Sequence, residues 1–182
     1  MGPMKVVAVS CSPSVGGKTR AVLEAVLAGA AALGAETALV EMGEHDGVQP
    51  VVDALHGASA VVLGSPMYRG TYTAQFKTLI DAVPRGEYGD PAAPLSGRAV
   101  LTVATAGSDH HLLGPGSMRA VLADFYGSQV VSPGLYVTGS SFADGELVGD
   151  SADRARLMGS ALVELARAID SSTALRALTP NV

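Results

Sequence analysis

Ser59-Ala60-Val61-Val62-Leu63-Gly64, then Ser65-Pro66-Met67-Tyr68-Arg69-Gly70-Thr71-Tyr72, then Thr73-Ala74-Gln75-Phe76-Lys77-Thr78-Leu79-Ile80-Asp81-Ala82-Val83-Pro84: this stretch decides the fold. Its first block is apolar without a polar alternate, the pattern of a strand covered on both faces. Its last block places Phe76, Leu79, Ile80 and Val83 at i, i+3, i+4 and i+7, one face of a helix over Thr73 to Val83 that Pro84 ends. A buried strand that feeds a helix through a polar loop is half of a βαβ unit.

The same alternation extends in both directions. Upstream, Lys5 to Ser10 reads as a strand. Lys18 to Leu33 reads as a helix rich in Ala, Leu and Glu, with Gly34 as its stop. Glu36 to Glu41 is a second strand and Gln49 to Leu55 a short helix. Downstream, a Gly/Pro-rich connection runs from Arg85 to Gly97. It leads to a strand over Arg98 to Thr105, a loop over Ala106 to Gly116 and a helix near Ser117 to Tyr126. Gln129 to Val131 and Leu135 to Thr138 read as strand pieces broken by Pro133-Gly134. A last helix spans Ser151 to Asp170, with Ser151 as its N-cap and Asp153 in its first turn. The expectation is an α/β fold: a doubly wound five-stranded parallel sheet with helices on both faces and right-handed crossovers. It forms one domain over residues 1–182, with Met1-Gly2-Pro3 set aside from the fold argument.

Composition narrows the function classes. Of 182 residues, 48% are hydrophobic and 16% charged, enough to build a substantial core. The formal charge of -5, with no run of Lys or Arg, leaves nucleic acid and anionic membranes without electrostatic support. It does not exclude a phosphate held locally by backbone N–H groups. The lone Cys11 rules out an intramolecular disulfide and a Cys-based metal cluster. Neither a secretory leader nor an uninterrupted membrane-length apolar run is legible, so a cytoplasmic protein is expected.

In an open doubly wound sheet, ligands sit beyond the carboxyl ends of the strands. Three loops leave those ends: Cys11 to Thr19, Pro66 to Thr73 and Ala106 to Gly116. In the first, Ser10-Cys11-Ser12-Pro13-Ser14-Val15-Gly16-Gly17-Lys18-Thr19-Arg20 offers hydroxyls, cations and helix-start N–H groups to an anion. Gly17-Lys18-Thr19 matches the end of a nucleotide-triphosphate loop. That pattern, however, needs Gly where Ser12 stands, and no strand ends in an Asp suited to magnesium. No G-x-G-x-x-G follows the first strand either. A phosphate monoester is the better guest, against a plain polar helix cap. In the second loop, Pro66 and Met67 offer an apolar contact, Tyr68 an aromatic plane, Arg69 a cation and the backbone rim donors, as a flat ring requires. Its plainer reading is a turn with Tyr68 packed on a neighbour. The third loop, Thr105-Ala106-Gly107-Ser108-Asp109-His110-His111-Leu112-Leu113-Gly114, permits close backbone approach. Its Asp109-His110-His111 lacks the further ligands that a metal needs.

These residues resemble the NAD(P)H-dependent FMN reductases of flavodoxin-like fold, particularly those feeding two-component alkanesulfonate monooxygenases. The resemblance lies in Ser65-Pro66-Met67-Tyr68 through Phe76-Lys77-Thr78-Leu79-Ile80-Asp81, similar to (S/T)-P-x-Y…(L/F)-K-(T/N)-x-(L/I)-D. It continues in Leu101 through Ser108 with His111-Leu112-Leu113, similar to a strand, a T-(G/A)-G loop and H-L-L. Ser12-Pro13 opening into Thr19 resembles G-S-x-R-x-x-S-x-(T/S), with Cys11 replacing the Gly and Ser14 the Arg. Lys18 or Arg20 is left to supply the cation. The resemblance implies FMN and NADPH (or NADH), and hydride transfer between them with no catalytic side chain. It places phosphate on Ser12, Ser14, Gly17, Lys18 and Thr19. It places the ring between Pro66, Met67, Tyr68 and Arg69, with Thr105, Ala106, Gly107 and His111 at its edge. It implies a homodimer or homotetramer built on the helix from Thr73 to Val83, and a flavin-dependent monooxygenase as partner. The alternatives are a reductase with resident FMN serving quinones, azo compounds or other small acceptors, and a flavodoxin-type electron carrier.

Overall fold

Val6, Val7, Ala8 and Val9 are all fully buried, and they alternate between two apolar clusters. Val6 and Ala8 face one layer of helices, Val7 and Val9 the other, because successive strand residues point to opposite faces. That alternation makes this interior strand a core element on both sides. The computed structural model describes residues 4–86 and 93–178. The three leading residues, and part of the connection expected over 85–97, lie outside the described residues.

The elements are β1 (Lys5–Ser10), α1 (Lys18–Ala32), β2 (Glu36–Glu41), α2 (Gln49–Leu55), β3 (Ala60–Pro66), α3 (Ala74–Ala82), β4 (Ala99–Ala106), α4 (Pro115–Ala120), β5 (Gln129–Val130), β6 (Leu135–Thr138), β7 (Phe142–Ala143), β8 (Glu146–Leu147), α5 (Gly149–Ser171) and α6 (Thr173–Arg176). The main sheet is parallel in the order β2-β1-β3-β4-β5, the flavodoxin-like order of doubly wound sheets. Its fifth position is shared: β5 pairs with the start of β4 and β6 with its end, so one edge strand is interrupted around Pro133-Gly134. The expected break therefore lies where the missing Pro N–H costs a ladder bond least, at an edge.

One face carries α1 and α5. They cross so closely that a Cβ on Gly159 would lie 1.9 Å from the Val26 carbonyl oxygen, and one on Gly29 1.9 Å from that of Arg156. The other face carries α2, α3 and α4, with Val52, Phe76, Leu79, Met118 and Tyr126 closing the second cluster. Burying a side chain such as Phe76 fully contributes about 1.5–3 kcal/mol. Tyr126 is buried there because its hydroxyl donates to the carbonyls of Ile80 and Val83. Burial pushes its pKa up to about 12.

Three expectations need correction. Ser151 does not cap the last helix. Val148 does, its N–H held by the Ser141 carbonyl in the small β7–β8 hairpin, so the helix starts at Gly149 and Ser151 Oγ donates to Ser141 Oγ instead. Asp150, not Asp153, then occupies the first turn, and Asp153 pairs with Arg156. The helix expected near Ser117 to Tyr126 begins at Pro115 and continues from Val121 to Phe125 as a π-helical turn. The extra residue per turn leaves Phe125 exposed while Tyr126 is buried.

Candidate functional site

The three loops meet. A cleft of about 690 Å³, within the usual range for small-molecule sites, opens at the carboxyl ends of β1, β3 and β4. Ser12, Ser14, Gly17, Lys18, Thr19, Pro66, Met67, Tyr68, Arg69, Thr105, Ala106, Gly107 and His111 line it, so the structure gathers every site residue expected from the sequence. The arrangement is graded: hydroxyls and an ammonium at the β1 end, apolar and aromatic groups at the β3 end, small residues along β4.

The β1 end is ordered by its own side chains. Ser14 N–H donates to Ser12 Oγ, at 3.1 Å. Gly16 N–H is shared between both carboxylate oxygens of Glu41, 3.2 Å from each. Arg20 donates to the same carboxylate at 2.7 Å and to Glu24 at 2.8 Å, and these bonds raise its pKa further. Arg20 is therefore committed to Glu41 and does not supply the missing loop cation. Lys18 remains, its ammonium 5.2 Å from the centroid of the Phe142 ring. Cys11 is fully buried, and burial pushes its thiol pKa up, so it stays protonated.

The floor is a hydroxyl network. Thr19 Oγ1 and Thr105 Oγ1 lie 2.9 Å apart, joining the first turn of α1 to the end of β4. Thr73 caps α3 by accepting the Phe76 N–H, and its hydroxyl donates to the Cys11 carbonyl at 2.6 Å. Ser65 Oγ accepts the Thr73 N–H at 3.1 Å. The ends of β1 and β3 are thereby fastened to the start of α3.

The Tyr68 loop is tighter than its sequence suggests. Tyr68 and Thr71 exchange backbone hydrogen bonds at 2.9 and 3.2 Å around Arg69 and Gly70, whose φ values are 51° and 85°. Two consecutive positive φ angles define a type I′ turn, which Gly adopts freely and Arg69 only at a cost of about 1 kcal/mol. The turn leaves the Tyr68 side chain 56% exposed at the cleft mouth, while Met67 is 2% exposed beneath it. The rim donors expected from this backbone are largely spent: Met67 N–H on the Thr105 carbonyl, Tyr68 N–H on Thr71, and Gly70 N–H on His111 Nδ1 at 3.0 Å. Because Nδ1 accepts, the neutral imidazole carries its proton on Nε2. His111 thus ties the third loop to the second. His110 bonds instead to Ser108, at 3.1 Å.

Sequence reading missed Glu41. It ends a strand, in register with Ser10, and is 1% exposed. Its signal was a carboxylate at the carboxyl end of a strand beside a Gly-rich loop. Tyr136, whose hydroxyl donates to the Ser108 carbonyl at 2.6 Å and steadies the third loop, was also missed. Among the described residues, no group of His, Cys, Asp and Glu is arranged to hold a metal, and no helix is long and apolar enough to cross a membrane.

The family profile described as NADPH-dependent FMN reductase matches residues 4–143. The chain is 28% identical over 157 residues to the NADH-dependent FMN reductase SfnE of Pseudomonas putida, covering 78% of this chain and 81% of that protein. It is 32% identical over 97 residues to the NADH-dependent FMN reductase SfnF of the same organism, 53% of this chain and 48% of that one. The latter match thus spans about half the length of the relative. A solved structure described as an NADH:FMN oxidoreductase (EMOB), apo form, superposes with a TM-score of 0.77 at 22% identity, over 96% of this chain and 95% of that one.

Proposed function

Because the chain belongs to the NADPH-dependent FMN reductase family, we propose that it oxidises NADPH or NADH and reduces FMN in the cleft at the carboxyl ends of β1, β3 and β4. The observation that carries this reading is the graded cleft: a phosphate-type end and a ring-type end built from three separate loops and joined into one cavity. The residues fit the flavin on their own chemistry. Ser12, Ser14, Gly17, Lys18 and Thr19 hold the phosphate. Pro66, Met67 and Tyr68 carry the ring, with Arg69 beside it. Ala106 and Gly107 let the ring edge approach the backbone, and His111 offers Nε2–H to it.

Bound flavin supplies the hydride-accepting chemistry. The side chains would contribute placement, with Pro66, Met67 and Tyr68 offering the ring an apolar bed. No general acid or base is required of them.

The reduced flavin serves a partner monooxygenase. The protein is one cytoplasmic domain and assembles as a homodimer or homotetramer. The surface proposed for assembly is the outer face of α3, where Lys77 and Asp81 are exposed.

The test mixes purified protein with NADH or NADPH and excess FMN, and follows nicotinamide oxidation. Turnover that requires added FMN is expected. Turnover that requires a quinone and ignores added FMN would assign a resident flavin instead, and no turnover with either would remove the reading.

A further inference from the structure

The loop expected to meet a phosphate already holds an anion of its own. Glu41 ends β2, is 1% exposed, and is held by three donations: both its oxygens take the Gly16 N–H, and one takes the Arg20 guanidinium. A buried carboxylate persists only where it is so compensated. The compensation is drawn from the loop and helix start that also carry the cleft-lining Ser14, Gly17 and Lys18. One loop N–H and one cation are turned inward, and Glu24 and Glu44 draw on the same guanidinium from outside. Ser14 N–H is also spent internally, on Ser12. Among the described residues lining the cleft at this end, Lys18 is the cation left facing it.

We propose that Glu41 is the positioning and specificity-setting residue of the phosphate end. It holds the loop in its binding shape before flavin arrives. By neutralising Arg20 it also keeps the advantage of a phosphorylated over an unphosphorylated flavin small. This rests on the reading of the cleft as a flavin site. Glu41 touches neither ring nor nicotinamide, so its effect falls on the phosphate alone.

Two substitutions move the charge in opposite directions. Glu41→Gln keeps the shape and one acceptor for Gly16 but takes the buried carboxylate charge away from Arg20, which keeps only its exposed partners Glu24 and Glu44. Arg20→Gln leaves the Glu41 charge uncompensated. The dissociation constants of FMN and riboflavin are measured for the natural protein and for each variant, at low and high salt. Glu41→Gln is expected to tighten FMN about three- to tenfold, and Arg20→Gln to weaken it by a similar factor, with riboflavin unchanged in both and the effects fading at high salt. Flavins that shift together in both variants would show a purely structural role and overturn the proposal, as would FMN weakened selectively by Glu41→Gln. If Glu41→Gln does not fold, Arg20→Gln decides: its side chain is 37% exposed, and unchanged FMN affinity there overturns the proposal. Natural protein that binds neither flavin would instead overturn the flavin reading itself, and this assignment with it.

Discussion

Thr19 Oγ1 and Thr105 Oγ1 lie 2.9 Å apart in a buried contact that joins the first turn of α1 to the last residues of β4. The two threonines are 86 positions apart in the chain, and they are 2% and 5% exposed. Thr19→Val strands the Thr105 hydroxyl, and Thr105→Val strands that of Thr19. Each should cost about 1–3 kcal/mol of unfolding free energy, because a buried polar group loses its partner. The double variant should cost less than the sum, by about 0.5–1.5 kcal/mol. Urea unfolding of the four proteins checks this, and strict additivity would show that the contact contributes nothing.

Tyr68 stands on a turn whose geometry is pinned by His111. Tyr68→Ala should weaken FMN and riboflavin alike by about 1–3 kcal/mol, as loss of an aromatic stacking plane does. His111→Phe removes the acceptor for Gly70 N–H and loosens the turn. The Tyr68→Ala loss should then be smaller in that background than in the natural one. Flavin titration of the single and double variants is the measurement. An unchanged dissociation constant in Tyr68→Ala takes the ring contact away from this residue.

Gly159 has no room for a side chain. A Cβ there would sit 1.9 Å from the Val26 carbonyl oxygen, a backbone atom that moves only with its helix. Gly159→Ala must push α5 from α1 and should cost at least about 2–3 kcal/mol, despite the better helix propensity of Ala. Ala substituted for the exposed Gly116, where nothing lies within 4 Å of the added Cβ, should fall within about 0.5 kcal/mol of the natural protein.

Tyr126 links stability to alkaline pH. Its pKa is raised from the ordinary 10.0 to about 12, first by burial and then by the Asp81 charge. The folded state therefore resists ionisation where the unfolded chain does not. The stabilisation is complete below pH about 10 and is lost as pH rises towards about 12. Tyr126→Phe should lower stability at neutral pH by about 1–2 kcal/mol through the lost bonds to Ile80 and Val83, and should flatten the fall between these pH values. Denaturant midpoints across that range decide, and parallel curves would remove Tyr126 as the cause.

The strand–loop–helix alternation was legible because strand and helix periods differ, and because the buried strands lack polar alternates. Five positions of a parallel sheet, the break at Pro133-Gly134 and the meeting of three loops at one edge all follow from that pattern. Helix starts were less legible. Ser151 is a good N-cap by type, yet a hairpin upstream captured Val148 and started α5 earlier, since a tertiary hydrogen bond outweighs a local preference.

The sequence by itself determined which loops gather at the cleft and which residues they carry, because chain order and the right-handed crossover leave those loops only one end of the sheet. Only the tertiary structure decided what each side chain does there. Arg20 and Lys18 look equivalent in the sequence, two positions apart at the start of one helix. Register places Glu41 beside Ser10, and that buried carboxylate takes Arg20 while Lys18 faces the cleft. His111 likewise reads as a ligand group, yet its Nδ1 is bound to Gly70, 41 positions away. Pairings between residues distant in sequence are set by how the strands stack, and no local pattern of residue types encodes them.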